Sequence, residues 1–368
     1  MNLRDAGPDE LADWDARSVE APGGHVYQSR AWAAHRERSG WQPRFLVDDG
    51  GGRALALTRR WPMVGGGSAY IPRGPGPVDA DAAGPEVLSA RLIAIADLLA
   101  ADGIDVVAAD PEVPDAATGF RAAIEVAGFH QIEEIQPSRH RISLPLAERT
   151  EDDVFAGVSK STRQRIKKAE ETVERVVRHD TRTGPDGPGD GFATPNEQPE
   201  VALDRFYDLL LQTGERLHFT FGPRAPFVAW WRAALEAGHL VFLEAWGIRG
   251  APIGGLILYR HGGRLSTVHS GDDPEERHET PGAMHLLRWR AIQLAIREGS
   301  SEMDLGGVDV AGARNEPQEG DPLYGLYQHK QSFGGEWLAL TGAHERIFDP
   351  RGYQIGRLAS RAARLVRR

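Results

Sequence analysis

The 368-residue sequence contains no cysteine. This absence excludes disulfide bonds, thiolate nucleophiles and zinc sites with cysteine ligands. No apolar run approaches the roughly 18 residues that a membrane-spanning helix needs. The first ten residues also lack the charged-then-apolar pattern of a signal peptide. We therefore expect a cytoplasmic protein.

Positive charge is also in short supply, because the formal net charge is −10. Such a balance argues against a protein that coats nucleic acid, yet two basic patches stand out. One runs from Lys160 to Lys168, and the other is the C-terminal tail, with Arg357, Arg361, Arg364, Arg367 and Arg368. Lys330 is the only lysine after Lys168. Lysine shifts its pKa on burial whereas arginine stays charged, so this residue is a candidate for chemistry.

The sequence does contain enough material for two globular domains, with 40% apolar and 26% charged residues. Periodicity predicts the same succession twice: strand, turn, strand, Gly-rich turn, strand, helix, strand. The first copy runs from Arg44 to Ala109 and the second from Leu240 to Leu305. This order resembles the GCN5-related N-acyltransferase unit. We expect an α/β fold with mixed sheets, in two tandem domains of that kind.

The boundaries of these domains follow from the same pattern. We expect residues 1–147 and about 318–368 to form the first domain, and residues 148–317 to form the second. Two helix starts, an acidic one near Glu148 and one at Ser159, open the second domain. Residues 181–199 are rich in Gly, Pro and Asp, which predicts a mobile loop.

One stretch concentrates polar-tipped side chains, namely Leu323–Trp337. It contains Tyr324, Tyr327, His329 and Lys330, followed by the pair Gly334–Gly335. Paired glycines permit an unusual backbone dihedral or a close approach. The residues alone leave two interpretations open: a strand-end loop with a solvated lysine, or a site built around Lys330.

Six segments form an ordered set along the chain. They are Tyr27–Trp32, Ala69–Pro75, Asp110–Glu112, Ser159–Ala169, Met303–Val308 and Leu323–Trp337. The set resembles the motifs of the Fem family, aminoacyltransferases that add amino acids from charged tRNA to the peptidoglycan stem peptide. The resemblance runs from Tyr27 to Pro350. Some members carry a long coiled-coil arm, but Thr181–Pro199 is too short and too rich in Pro and Gly for one, so the resemblance implies the armless, FemX-like form.

The resemblance implies a reaction in which an amine of the stem peptide attacks the ester carbonyl of aminoacyl-tRNA. Because that ester is already activated, no cofactor, ATP or metal is expected. The expected partners are aminoacyl-tRNA and a peptidoglycan precursor, either UDP-MurNAc-peptide or a lipid-linked form. The basic tail has two interpretations, which are peripheral contact with an anionic membrane and a helix that only covers the first domain. The transferred amino acid, the acceptor amine and the oligomeric state stay open.

The resemblance also implies roles for individual residues. Catalysis falls to Lys330, whose charge suits an oxyanion or the leaving ribose, and to Asp110, which ends a strand and is expected to orient the amine. Substrate binding falls to Arg36, Arg73, Arg224, His269, Tyr324 and Tyr327. Contact with tRNA is expected from Lys160, Arg163, Lys167, Lys168 and His329.

Each of these roles has a structural alternative, which for Arg36 is an exposed helix arginine and for Asp110 a carboxylate that caps a loop. The two tyrosines also fit half-buried core positions, and the basic helix also fits a solvated face with a Lys167–Glu171 pair. Arg224 is displaced by about two positions from the family's arginine, and His269 falls near a family tyrosine, so the family's substrate contacts are in doubt at both.

Three other functions compete with peptidoglycan aminoacyl transfer. The first is an acyl-CoA-dependent N-acyltransferase, although the segment beginning at Arg73 fails the last position of the usual pyrophosphate loop. The second is aminoacyl-tRNA-dependent ligation on an acceptor other than peptidoglycan. The third is a non-catalytic module that binds tRNA or the envelope.

Overall fold

A computed structural model describes residues 1–76, 84–136, 139–183, 187–217, 221–275, 279–308 and 315–366. The chain divides into two compact units. The first comprises Met1–Arg141 and Leu338–Arg368, and the second comprises Ile142–Val310 and Asn315–Trp337. Within the described residues, no helix has both the length and the hydropathy to cross a membrane.

The first unit is built on a seven-stranded mixed sheet in the order β1-β2-β3-β4-β5-β14-β6. Its strands are β1 Leu3–Asp5, β2 Gln42–Asp48, β3 Arg53–Arg60, β4 Gly67–Ile71, β5 Val106–Ala109, β6 His130–Gln131 and β14 His344–Ile347. Its α-helices are α1 Pro8–Ala12, α2 Arg30–Glu37, α3 Pro85–Ala101, α4 Thr118–Val126 and α11 Pro350–Val366. Helix α3 contributes Leu92, Ile95 and Leu99 to the core beneath this sheet.

The second unit has its own seven-stranded sheet, in the order β13-β7-β12-β11-β10-β9-β8. Its strands are β7 His140–Pro145, β8 Val173–His179, β9 Leu240–Gly247, β10 Pro252–His261, β11 Arg264–Asp272, β12 Glu302–Asp304 and β13 Glu336–Ala339. Its helices are α5 Glu151–Gly157, α6 Lys160–Thr172, α7 Pro199–Leu217, α8 Arg224–Glu236, α9 Ala283–Arg297 and α10 Tyr324–Gln331. Helix α9 carries apolar side chains on most sides, and it is accordingly buried over this sheet.

The predicted duplication is confirmed, and so is the mixed α/β fold. In each unit three antiparallel strands lead through a helix to a fourth strand that runs parallel to the third. Ser68 on β4 pairs with Val106 on β5, and Arg264 on β11 pairs with Glu302 on β12. Because parallel strands end at the same edge, residues that follow β4 and β5, or β11 and β12, are brought together.

The segment around Lys330 differs from the loop interpretation and from the domain boundary expected for it. Instead of a strand-end loop, residues 324–331 form helix α10. Instead of joining the first unit, residues 315–337 belong to the second. The reason is apolar burial, since Tyr327 and Phe333 are 4% and 0% exposed within the core of the second unit.

The two glycines that follow α10 meet the two demands anticipated for them. Gly334 has φ +89°, a left-handed conformation that favours glycine. A β-carbon on Gly335 would lie 2.6 Å from Ile142 Cγ2 and 2.9 Å from Leu305 Cδ1. The close approach therefore serves packing inside the unit, and it seats the end of α10 against the sheet.

Candidate active site

Lys330 lies in the last turn of α10 and is only 6% exposed. Its Nζ atom donates a 2.6 Å hydrogen bond to the carbonyl oxygen of Gly307, just past the end of β12. The preceding residue, Gly306, has φ +78°, and a β-carbon there would lie 2.7 Å from the Thr267 carbonyl oxygen and 3.1 Å from Lys330 Nζ. The pair Gly306–Gly307 therefore lets the backbone approach the ammonium group of Lys330. The solvated-lysine interpretation is wrong.

The tyrosines of α10 differ in environment. Tyr327 is 4% exposed, its hydroxyl donates to Glu316, and Gln331 donates to that hydroxyl over 3.0 Å. Burial and the neighbouring Glu316 carboxylate raise the pKa of Tyr327 above its usual range. Tyr324 is half-buried, with its ring 6.2 Å from that of Tyr327. Tyr327 is thus a hydrogen-bonded core residue, and Tyr324 is the more accessible of the two.

His329 packs against a second histidine, His285 on α9. The rings are 4.3 Å apart between centroids, and His329 Nδ1 lies 3.1 Å from His285 Nε2. Arg165 on α6 reaches the same His285 nitrogen at 3.3 Å. Burial is the main cause that lowers the pKa of His329 far below its usual range, and the charge of Arg288 on α9 is the next largest. His329 is therefore a neutral side chain in a positively charged setting.

The basic helix α6 presents most of its predicted tRNA-binding residues to solvent. Lys160, Lys167 and Lys168 are exposed. Arg163 instead donates to the carbonyl oxygens of Ala156 and Val158, each over 2.9 Å, and so caps the end of α5. Ser159 and Thr162 bind Ser332 at the end of α10, over 2.8 Å each. Helix α6 is thereby fixed beside the Lys330 segment.

Arg224 and His269 occupy contrasting environments in the second unit. Arg224 is exposed at the start of α8, where it pairs with the carboxylate of Asp208 and hydrogen-bonds the Asp204 carbonyl over 3.1 Å. Exposed pairs of this kind are weak and exchange readily. His269 on β11 lies among Phe227 and Trp231, with ring centroids 5.8 and 5.5 Å away. Burial lowers the pKa of His269 to about 4, so the ring is neutral at pH 7.

In the first unit, Asp110 sits directly after β5 and is 1% exposed. The Tyr70 hydroxyl lies 2.9 Å from both carboxylate oxygens, and the Arg73 backbone N–H donates to Oδ1 over 2.8 Å. Burial raises the pKa of Asp110 to about 6, although the Arg73 charge opposes that rise. The adjacent ends of β4 and β5 produce this cluster, because Tyr70 is on β4 and Arg73 follows it.

Arg73 and Arg36 are the cations of the first unit that were expected to bind substrate. Arg73 is mostly buried, and its Nε lies 3.7 Å from Asp110 Oδ2. Burial would lower its pKa, but Asp110 and Glu112 raise it above the usual range. Arg36 is half-buried over the Trp32 and Trp41 rings, at 5.4 and 5.6 Å. Its Nε atom is buried and has no hydrogen-bond acceptor among the described residues.

Several neighbours of these residues escaped the sequence analysis. Tyr70, Arg165, His285 and Arg288 all contact or electrostatically influence a predicted site residue. Tyr70 could have been found, because it lies on the third strand of the predicted repeat and Asp110 follows the fourth. Arg288 could not, since it lies inside an apolar helical pattern and the residue that it influences is 41 positions away.

Residues 158–330 match the family described as an acetyltransferase (GNAT) domain. The match spans just under half of the chain, and it is a similarity to that family. It contains Lys330 at its last position, and it confirms the expectation of an acyltransferase. None of the curated proteins compared by sequence matches the chain.

Solved structures extend the similarity to the whole chain. FemX has a TM-score of 0.75 and 18% identity, over 96% of this chain and 99% of its own. A conserved protein of unknown function from Bacteroides thetaiotaomicron VPI-5482 has a TM-score of 0.53 and 13% identity, over 94% and 98% of the two chains. The fold expected from the Fem resemblance is therefore confirmed, including the absence of a long arm within the described residues.

Proposed function

We propose that this protein transfers an amino acid from aminoacyl-tRNA to an amine of the peptidoglycan precursor stem peptide. The observation that carries the proposal is Lys330, whose ammonium group is buried and bonded to the Gly307 carbonyl oxygen at a strand end of the GNAT domain. A fold similar to FemX along the whole chain supports it. The product is an amide bond, as in an interpeptide bridge.

The reaction needs charge stabilisation more than covalent chemistry. The amine lone pair attacks the ester carbonyl, and the carbonyl π electrons move to its oxygen. Collapse of this tetrahedral intermediate breaks the bond to the terminal ribose oxygen, which takes a proton while the amine loses one. A fixed ammonium group stabilises the oxyanion and can supply a proton to the leaving oxygen. Lys330 is proposed for this role.

The first unit is proposed to hold the acceptor. Arg36 has a buried Nε without an acceptor among the described residues, and a guanidinium suits the precursor's phosphates. Asp110 has both oxygens engaged by Tyr70 and Arg73. Its direct contact with the amine remains a prediction, and these bonds favour a positioning role through Tyr70 and Arg73.

The remaining substrate contacts are proposed at the second unit. His269 would act as a neutral hydrogen-bonding group, because its pKa lies near 4. Arg224 would have to exchange Asp208 for substrate. Tyr324 is better placed than Tyr327, whose hydroxyl is engaged by Glu316 and Gln331.

Donor binding is proposed along α6 and α10. The exposed lysines Lys160, Lys167 and Lys168 suit tRNA phosphates, and His329 suits stacking with a terminal base. Arg163 would contribute indirectly, because its guanidinium caps α5. A cytoplasmic location suits both proposed substrates.

The C-terminal helix is proposed to contact an anionic membrane. Ile355 and Leu358 are 53% and 64% exposed on α11, and Arg357 and Arg361 on the same helix are also exposed. Of the basic tail, Arg367 and Arg368 lie outside the described residues. Flotation with anionic and zwitterionic vesicles tests this contact, which should require anionic lipid and be weakened by Leu358→Asp. Equal flotation with both vesicle types would refute it.

The test of the main proposal is the mass of UDP-MurNAc-pentapeptide after incubation with the protein. One reaction receives a mixture of charged tRNAs, and a parallel reaction receives acetyl-CoA. We expect a mass increase of one amino-acid residue in the first reaction, abolished by RNase. A mixture of charged tRNAs also identifies which amino acid is transferred.

One alternative retains specific support, namely acyl-CoA-dependent transfer, because the matching family is described as an acetyltransferase domain. An acetyl mass shift that is insensitive to RNase would establish it and overturn the main proposal. No shift with either donor would direct attention to a lipid-linked or non-peptidoglycan acceptor, or to a binding module. The same mass assay, repeated with lipid-linked precursor and with short amine-bearing peptides as acceptors, separates these outcomes.

A further inference from the structure

Arg288 is a buried cation that the described residues do not neutralise. It lies on α9 and is 1% exposed. Its Nε and Nη1 atoms are buried and have no hydrogen-bond acceptor in the described part of the chain. Burial lowers its pKa only to about 10, so the guanidinium keeps its charge at pH 7. An unpaired buried charge is strongly unfavourable, so a bound anion would stabilise the protein at this position.

Other buried arginines show how this chain normally neutralises such a group. Arg91 is 0% exposed, and its Nε donates to the Asp48 carboxylate over 2.7 Å. Arg178 is 8% exposed, and it contacts the carboxylates of Asp180 and Glu298 over 2.5 and 3.1 Å. Arg288 departs from this pattern. Its isolation is therefore a property of its location and not of the protein's general treatment of arginine.

The surroundings of Arg288 are positively charged. Arg288, Lys330 and Arg165 all act to keep His329 unprotonated. Arg165 and His329 both meet His285, which is one helical turn before Arg288 on α9. Such a setting attracts an anionic ligand, and Arg's planar fork matches the oxygens of a phosphate group.

We propose that Arg288, together with the adjacent His329, forms a subsite for a phosphate group of the acyl donor. This inference rests on the proposed function for the identity of that donor, which would place a backbone phosphate of the tRNA acceptor end there. A phosphate of coenzyme A has the same chemistry. His329 directly precedes Lys330 in the sequence, and both subsite residues lie within the segment that matches the GNAT family. The subsite would therefore hold the donor close to the group proposed to act on its ester.

Thermal unfolding with inorganic pyrophosphate tests the subsite without any enzymatic reaction. The ionic strength is held constant with chloride. The wild-type Tm should rise with pyrophosphate concentration to saturation, because a ligand that binds only the folded state stabilises it. Arg288→Met should melt higher than wild type without ligand, since it removes an unpaired buried charge, and it should lose the pyrophosphate response.

Arg290→Met is the matched control. This arginine is two residues further along α9, but it already contacts Glu170 and Gln293 over 3.1 and 2.8 Å. Its variant should keep the pyrophosphate response. Arg288→Lys, which keeps a charge but lacks the fork, should retain part of it and guards against a methionine variant that fails to fold. No wild-type response, or an equal response in Arg288→Met, overturns the inference.

Direct binding then separates the two sources of phosphate. A fluorescent oligoribonucleotide ending in CCA and coenzyme A are titrated against wild type and Arg288→Met. Loss of one charged hydrogen-bonding group should weaken binding of the true donor by about 10- to 100-fold. An effect on the oligonucleotide supports both proposals. An effect on coenzyme A alone keeps the subsite but overturns the tRNA donor, and an effect on neither overturns the subsite while leaving the peptidoglycan assay to judge the function.

Discussion

The two units use one scaffold to hold opposite kinds of polar cluster. At the ends of β4 and β5, Asp110 is bonded to Tyr70 and Arg73, so charge is compensated locally. In the second unit, Lys330 is bonded to the carbonyl oxygen of Gly307, and Arg288 has no acceptor for its buried Nε and Nη1 among the described residues. The comparison teaches that a repeated fold does not repeat chemistry. The first cluster is internally satisfied, whereas the second is suited to an anionic ligand or transition state.

The largest expected effect comes from removing the Lys330 charge. Lys330→Met keeps most of the side-chain volume but deletes the ammonium group, so kcat/KM for aminoacyl transfer should fall by about 10²- to 10³-fold. Steady-state kinetics with charged tRNA check this. Gln331→Ala, which alters the neighbouring position, should leave the rate within a few-fold. Comparable rates for Lys330→Met and wild type would remove Lys330 from the mechanism.

The Asp110 cluster should instead reveal itself in stability against pH. The folded-state pKa of Asp110 is raised to about 6, so the folded state binds more protons than the unfolded state between about pH 4 and 6. Stability from this group is therefore present at low pH and lost as pH rises through that window. The loss is on the order of 3 kcal/mol.

Urea unfolding of wild type and Asp110→Asn from pH 4 to 7 isolates this contribution. The difference in unfolding free energy, wild type minus variant, should fall as pH rises. A constant difference would show that the carboxyl has an ordinary pKa. Tyr70→Phe should push the window to higher pH, because it removes a hydrogen bond from the ionised carboxylate.

Gly306→Ala should disrupt the contact between Lys330 and the Gly307 carbonyl oxygen by displacing the backbone. Alanine would have to adopt φ +78° and place its β-carbon 2.7 Å from the Thr267 carbonyl oxygen. We expect a loss of about 1–3 kcal/mol in unfolding free energy, with reduced transfer activity. Gly325→Ala on α10 is the control, because its β-carbon would meet nothing within 4 Å. That variant should be neutral or stabilised by up to about 1 kcal/mol. Equal stabilities would contradict the close approach.

The smallest expected effect concerns the exposed face of α6. Lys167→Ala should weaken tRNA binding several-fold. It should also lower the slope of log Kd against the logarithm of salt concentration by about one. Arg232→Ala on α8 removes a comparably exposed cation that pairs with Glu200 and Glu236, and it should leave that slope unchanged. Filter binding at several salt concentrations measures both. An unchanged slope for Lys167→Ala would indicate a merely solvated face.

The sequence was most informative where structure depends on neighbours along the chain. The repeated order of strands and helices was predictable, because alternation and helical spacing are local properties. The helix starts near Glu148 and at Ser159 were visible for the same reason, and the structure shows Thr150 and Ser159 as their caps. Strands β8 and β14 were missed. Charged residues interrupt the apolar–polar alternation of both strands. Pairing with β9 and β5, which are distant in sequence, stabilises them.

The site was harder to predict because its contacts are distant in sequence. A loop was one of two interpretations of the segment near Lys330, because glycine and polar residues obscure the helical pattern of α10. Burial of Tyr327 and Phe333 decides where this segment lies. The resemblance to the Fem family drew attention to Lys330, but Arg288 had no comparable signal. Its significance lies in an acceptor that the described residues do not supply, which only the folded arrangement reveals.

The central claim is that the second unit transfers an aminoacyl group to an amine with the help of Lys330. The most direct measurement is a single-turnover reaction that counts ester consumed and amide formed from one charged tRNA. We predict one amide per ester in the presence of the peptide acceptor, at a rate at least about 10²-fold lower in Lys330→Met. Ester consumption without amide formation, or equal rates in the two proteins, would contradict the account.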